Sequence, residues 1–102
     1  DKLTEKCGVF GTFGASKEAA RLAYYGLWAL QHRGQESSGI ASADTKNIYD
    51  HSDFGLVANV YKDEDLSALH GHVSIGHNRY STSGGRDACY NQPLINKDRT
   101  FA

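Results

Sequence analysis

The run Ala19–Leu30 constrains the fold most, because its apolar residues cover most sides of a helix. Arg21 is its only charged residue, and the apolar spacing from Lys17 onward predicts a helix that stops before Gly34. A helix that is apolar on most sides packs between other elements instead of lying on a surface. We therefore expect a helix in the interior of the domain, with the aromatic side chains near its centre in the core.

Most of the remaining chain has the pattern of short strands separated by turns. Cys7–Phe13 is predicted to be a buried strand interrupted by glycines, and Val73–His77 alternates as a strand does. A hairpin is expected between Ser38–Ala43 and Asn47–His51. Further predicted elements are strands at Gly55–Val60, Leu94–Ile95 and Thr100–Ala102, a turn at Asn96–Arg99, and a brief helix from an Asp63 cap to Leu69. This order gives an α+β fold with a helix layer packed on a sheet.

The composition excludes several classes of protein. The chain has 102 residues, enough for one domain, and its 11 basic and 12 acidic residues leave a net charge of -1. This balance predicts no nucleic-acid partner. The longest apolar run is too short to cross a bilayer, so no membrane association is expected. The polar first residues lack a secretory signal, and two cysteines in such a chain favour free thiols in the cytoplasm.

Three polar segments lie at the ends of predicted elements, where functional sites tend to be placed. The first is Cys7-Gly8 at the start of a strand. The second is the run from Gln31 to Gly39 after the long helix, and the third is the run from Gly76 to Gly85. From the residues alone, these segments support a thiol enzyme and nothing more specific.

Taken together, these segments resemble the N-terminal-nucleophile glutamine amidotransferases. The similarity is strongest to the glutamine phosphoribosylpyrophosphate amidotransferases of purine synthesis. It rests on Cys7–Gly11, on Leu30–Glu36 with the sequence Leu-Gln-His-Arg-Gly-Gln-Glu, on Gly76–Thr82, and on the pair Gln92-Pro93. The three motifs are in the family's order and at its separations.

The resemblance implies a four-layer α/β/β/α sandwich, of which residues 7–102 would form about half, the N-terminal part of a glutaminase domain. It implies that Cys7 is the nucleophile that attacks the glutamine side-chain carbonyl. Arg79 and Thr82 would hold the α-carboxylate of glutamine, and a guanidinium suits this because it forks onto a carboxylate. The supporting positions that it implies are Arg33, Gly34 and Tyr80.

In this family the base is the free α-amino group of the nucleophilic cysteine, whose pKa of about 7.7–8.0 suits proton transfer near neutral pH. Six residues precede Cys7 here. We therefore expect Asp1–Lys6 to be a leader that is removed, although Lys6 stands where an acidic residue is usual.

The resemblance places other parts of the enzyme downstream of Ala102. These are an Asn-Gly oxyanion hole, an aspartate for the α-amino group of glutamine, and a second domain for phosphoribosyl pyrophosphate. Mg²⁺ and, in some relatives, an iron–sulfur cluster would also be bound there, and the full-length protein is expected to be a homo-oligomer. Without the oxyanion donors a rate loss of about 10²–10³ is typical, so the 102-residue piece itself is expected to be inactive.

Two alternative functions stay open at this stage. One is the glutaminase domain of another class II amidotransferase, such as glucosamine-6-phosphate synthase, which the run Gln31–Glu36 disfavours. The other is a truncated, non-catalytic domain. Cys89 matches no functional position and is expected to be a bystander thiol. His70, His72 and His77 lack a further ligand at convincing spacing, so no metal site is predicted.

Overall fold

The computed structural model describes residues 7–14, 18–31, 35–80 and 91–102, and only the backbone of Cys7 and Gln35. Four strands form one antiparallel sheet in the order β1-β4-β2-β3. Helix α1 packs on one face of this sheet, which confirms the predicted α+β class. The elements are β1 (Cys7–Phe13), α1 (Ala19–Leu30), β2 (Gln35–Ala43), β3 (Ile48–Phe54), α2 (Val57–Val60), α3 (Asp63–Ser67) and β4 (Val73–Tyr80).

The core lies between α1 and the sheet, and a glycine in β4 lets the two layers approach closely. A Cβ at Gly76 would lie 2.7 Å from Cδ1 of Leu27, so no larger residue fits there without a shift. Leu27 and Ile40 are both fully buried. The core cluster consists of Ala20, Ala23, Leu27, Ile40, Val57, Val60, Tyr61, Leu66 and Leu69.

A chain of buried hydrogen bonds crosses this core at Asn78, which is 0% exposed. Its amide donates to the Leu27 carbonyl at 2.9 Å and accepts from the Ser38 hydroxyl at 2.8 Å. Because the Ser38 proton is used there, the Tyr61 hydroxyl donates to Ser38, at 2.8 Å. Burial raises the pKa of Tyr61, which therefore keeps its proton. These hydrogen bonds fix the C-terminal part of α1 against β2 and β4.

Replacement of Asn78 by alanine should lower the free energy of unfolding by about 2–4 kcal/mol, because it leaves a cavity and two buried groups without partners. Urea denaturation would measure the loss. Asn59→Ala, at an exposed position of α2, is the control and should change stability by less than about 0.5 kcal/mol. Equal effects of the two substitutions would contradict a structural role for the buried amide.

The hairpin expected around Asp44 is confirmed, with strands longer than predicted. The Asp44 carboxylate accepts hydrogen bonds from the backbone N–H groups of Lys46 and Asn47, each at 2.7 Å. These bonds, with a further one from the Tyr49 hydroxyl, lower the pKa of Asp44. The aspartate therefore satisfies the backbone of the turn that joins β2 to β3.

Two predictions about strands in the first 60 residues were wrong. Strand β1 is an edge strand and not a buried one, with Val9 68% and Phe13 77% exposed. No strand forms at Gly55–Val60, because Gly55 turns the chain with a φ of 119° and a helical turn follows. The Gln31 side chain accepts from the Val57 N–H at 3.1 Å, which satisfies the start of that turn.

The expected strands at Leu94–Ile95 and Thr100–Ala102 are also absent, while the turn between them is present. The Asn96 side chain accepts the backbone N–H groups of Thr100 and Phe101, each at 2.8 Å. Local side-chain bonds of this kind compete with a strand ladder for the same backbone groups. Arg99 anchors the turn to β3 through Asp50, at 2.7 Å.

The helices differ from the predictions in detail. The central aromatic residues of α1 were expected in the core, but Tyr25 is 64% and Trp28 47% exposed, and only Tyr24 packs against the core. Asp63 does not cap α3. The Asp65 carboxylate accepts the Lys62 N–H at 3.0 Å instead. Asp63 forms an ion pair with Arg21 at 2.9 Å, which ties α3 to α1.

Candidate active site

One row of paired residues crosses three strands at the end of the sheet where β1 begins. Cys7 in β1 pairs with Arg79 in β4, and Arg79 pairs on its other side with Ser37 in β2. Directly paired residues in antiparallel strands have Cα atoms about 4.5–5.5 Å apart. The fold therefore brings together two of the residues that sequence analysis selected, although they lie in distant parts of the chain.

Arg79 lies near the end of β4 with only 7% of its surface exposed. Beside it, the pairing of β2 with β4 shifts register between Gln35 and Ser37, as at a β-bulge. Bulges commonly occur next to active sites, where they redirect side chains. A buried guanidinium beside a bulge, opposite a cysteine, is an arrangement suited to binding an anion next to a thiol.

Tyr80 supports this row from the other side of the sheet. Its hydroxyl donates to the carbonyl of Leu30, the last residue of α1, at 2.7 Å. The side chain is only 5% exposed. Tyr80 therefore fixes the end of the helix against the strand that carries Arg79.

His77 lies two residues before Arg79 in β4, so the two side chains share one face of the sheet. It pairs with Val9 in β1 and with Gly39 in β2. Within the described parts of the chain, its buried Nδ1 has no hydrogen-bond partner. Burial and then the positive charge of Arg79 lower the pKa of His77. The imidazole is therefore neutral near pH 7.

His77 should make the protein more stable above about pH 6.5 than below it. Because the pKa of His77 is lowered in the folded protein, the unfolded chain takes up the proton first as the pH falls. The contribution of His77 to the free energy of unfolding is therefore fully present above the pKa of the unfolded state. It is lost as the pH falls toward the pKa of the folded state. Thermal unfolding of His77→Gln should depend less on pH in this range than that of the wild type. His70→Gln, at an exposed position, is the control. The same flattening in both variants would contradict the assignment.

Several predicted positions lie outside the described residues. These are the leader Asp1–Lys6, Arg33, Gly34, Thr82 and Cys89. Sequence analysis missed Ser37, which belongs to the polar run after the long helix but becomes notable only through its pairing with Arg79. In the segments that the structure describes, no three metal-ligating side chains form a group, and no helix has the length and apolarity needed to cross a membrane.

Comparison with known proteins identifies the family. No family model matches the sequence. The amidophosphoribosyltransferase of Mycobacterium tuberculosis is 54% identical over 80 residues, which cover 78% of this chain and 15% of the relative. That of Synechococcus elongatus is 46% identical over 99 residues, 97% of this chain and 20% of the relative. That of Methanocaldococcus jannaschii is 49% identical over 92 residues, 89% of this chain and 20% of the relative.

This stretch of chain belongs to the amidophosphoribosyltransferase family. A solved structure described as the allosteric regulatory enzyme of purine biosynthesis superposes with a TM-score of 0.78 at 44% identity, covering 85% of this chain and 18% of that one. The glutamine phosphoribosylpyrophosphate amidotransferase of B. subtilis gives a TM-score of 0.74 at 42% identity, covering 84% and 18%. The chain thus spans about a fifth or less of its relatives, and the resemblance found in the sequence is confirmed.

The fold predicted from the resemblance is confirmed by the same neighbours. The described residues contribute an antiparallel sheet and the helical layer on one of its faces. This agrees with a partial amidophosphoribosyltransferase fold. The row of Cys7, Arg79 and Ser37 lies at one end of this sheet.

Proposed function

We propose that the chain is part of the glutaminase half of an amidophosphoribosyltransferase. It would hydrolyse glutamine through a thioester on Cys7 and supply ammonia for the synthesis of phosphoribosylamine in purine biosynthesis. The observation that carries the proposal is the pairing of Cys7 with the buried Arg79 across neighbouring strands. The names of the relatives support the choice of glutamine and phosphoribosyl pyrophosphate as substrates.

Arg79 would bind the α-carboxylate of glutamine. A guanidinium donates two parallel hydrogen bonds to a carboxylate. These bonds fix the orientation of the substrate, and the positive charge balances that of the carboxylate. Because Arg79 is 7% exposed, water competes little for these bonds. Binding at Arg79 would hold the other end of glutamine, the carboxamide, near Cys7. Thr82 would donate a further bond to the carboxylate, and Arg33 and Gly34 would support the nucleophile.

The reaction needs a thiolate, which is the nucleophilic form of cysteine. The thiol of Cys7 would pass its proton to the α-amino group of the same residue, so Asp1–Lys6 must be removed in the active protein. The thiolate would attack the carboxamide carbon, the C–N bond would break, and the nitrogen would leave as ammonia with that proton. Water would then hydrolyse the thioester, which gives glutamate and restores the thiol.

Other parts of the full-length protein would complete the enzyme. They would provide the oxyanion donors and the site for phosphoribosyl pyrophosphate, with Mg²⁺ and any iron–sulfur cluster. We further propose that the full-length protein is a cytoplasmic homo-oligomer.

Product analysis of the full-length protein tests the proposal. With glutamine and phosphoribosyl pyrophosphate, glutamate and phosphoribosylamine should form in equal amounts. Glucosamine 6-phosphate formed from glutamine and a hexose phosphate would assign the chain to the alternative amidotransferase. Absence of glutamate formation under both conditions would contradict a glutaminase and favour a non-catalytic domain.

A further inference from the structure

Ser37 has a buried hydroxyl that the described residues around it do not satisfy. The residue is only 1% exposed, and its Oγ has no hydrogen-bond partner among the contacts of the described residues. Most buried polar side chains are paired, and an exception calls for an explanation such as a ligand or a functional role. The other buried serines of β2 are paired, since Ser38 donates to Asn78 and Ser42 donates to the His70 carbonyl.

The place of Ser37 in the sheet associates it with the candidate active site. It pairs directly with Arg79, which pairs in turn with Cys7. Side chains of directly paired residues project to the same face of a sheet. The register shift at Gln35 and Ser37 lies at this position, where a bulge redirects the strand. The hydroxyl therefore lies on the same face of the sheet as Arg79. Within the row, Ser37 and Cys7 lie on opposite sides of Arg79.

Two further buried groups that lack a partner among the described residues lie on or near this face of the sheet, whereas Ser74 lies on the opposite face. His77, with its unpartnered Nδ1, lies one pair along β4 from Arg79 on this face. The oxygen Oδ1 of Asn91 is also buried without a partner in the described regions. It precedes Gln92, whose carbonyl lies so close to Gly39 that a Cβ there would collide with it. This face therefore holds donors and acceptors in excess of those that the described chain pairs.

We propose that Ser37 orients the substrate, by donating a hydrogen bond to the α-carboxylate that Arg79 binds. This inference rests on the proposed glutaminase function. A carboxylate has about four lone-pair sites, and a bidentate guanidinium fills two of them. A hydroxyl beside the guanidinium can fill a third, which satisfies the buried Oγ and narrows the orientation of glutamine.

Kinetics of Ser37→Ala in the full-length protein test the proposal. The KM for glutamine should rise about 10- to 100-fold with little change in kcat, as expected for the loss of a hydrogen bond to a charged group. An analogue of glutamine with an amide in place of the α-carboxylate lacks that charge, so its KM should change far less. Ser37→Cys, which keeps the shape but donates weakly, should have an intermediate KM for glutamine.

Ser74→Ala is the matched control. Ser74 is equally buried, at 1%, and its hydroxyl also lacks a partner in the described structure. It pairs with Thr12 and Ser42, far along the sheet from Arg79. Its substitution should leave both KM values unchanged. Thermal unfolding should give Ser37→Ala a midpoint no lower than that of the wild type, since the removed hydroxyl makes no bond with the described residues.

Two results would overturn the proposal while the proposed function stands. One is a Ser37→Ala enzyme with the kinetics of Ser74→Ala. The other is a KM that rises equally for glutamine and for the analogue, which would indicate a structural role. If the wild type does not hydrolyse glutamine, the proposed function and the role of Ser37 both fail.

Discussion

Replacement of Cys7 by alanine should abolish glutamine hydrolysis by the full-length protein, whereas Cys89→Ala should leave it nearly unchanged. Alanine has no atom that can form the thioester, so the expected loss is on the order of 10⁴-fold or more. Cys89 is the matched control because it is the other cysteine of this chain. The rate of glutamate formation measures both variants.

The same variant separates the two halves of the proposed reaction. If ammonia passes from Cys7 to a second domain, added ammonium salt should bypass the defect. Cys7→Ala should then still form phosphoribosylamine from ammonia and phosphoribosyl pyrophosphate. Full glutaminase activity in Cys7→Ala would contradict the assignment of the nucleophile. Loss of the ammonia-dependent reaction would show that the substitution damages more than the glutaminase site.

Arg79→Lys should lower kcat/KM for glutamine about 100-fold or more, mainly through KM. The substitution keeps the positive charge but removes the planar fork that binds a carboxylate through two parallel bonds. Arg79 is buried, so a misplaced ammonium group cannot be compensated readily by water. Steady-state kinetics with glutamine would measure the change.

Arg99→Lys is the control for this substitution. Arg99 is half-exposed and pairs with Asp50 at 2.7 Å on β3, away from the paired row of Cys7 and Arg79. Surface ion pairs contribute little, so its effect on kinetics and on stability should be small. Equal kinetic effects of the two substitutions would argue that Arg79 does not bind the substrate.

Local pattern was sufficient to predict the elements that residue type and turn chemistry within a few residues specify. The bounds of Cys7–Phe13 agree with the observed strand, and the hairpin at Asp44 follows from turn chemistry within four residues. Elements whose start or burial depends on a residue far away in the sequence were predicted wrongly. The start of α2 depends on the side chain of Gln31, and β1 became an edge strand because β4 pairs on one side of it and no described strand on the other.

The polar end of β4 also depends on partners that are distant in the sequence. The strand was predicted to end at His77, but it continues through Tyr80. Asn78 has a polar side chain typical of loops, and its burial becomes favourable only because Leu27 and Ser38 bond it. Such partners come from distant parts of the chain, so periodicity within the strand does not reveal them.

For the candidate site, motifs selected Cys7 and Arg79, but only the strand order shows that they are paired. The importance of Ser37 could not be predicted from its neighbours in sequence, since Ser38 beside it has an ordinary structural role. The two serines differ in which face of β2 they occupy. Successive residues of a strand point to opposite faces, and the register with β4, which shifts beside them, decides that Ser37 is the one on the Arg79 face.

Labelling with an electrophilic analogue of glutamine would identify the nucleophile. Such an analogue binds as the substrate does and alkylates the attacking thiolate, and peptide mass mapping then locates the label. We predict one label per chain, on Cys7, with glutamine protecting the site. A label on Cys89, or an inactivated enzyme whose Cys7 carries no label, would contradict Cys7 as the nucleophile.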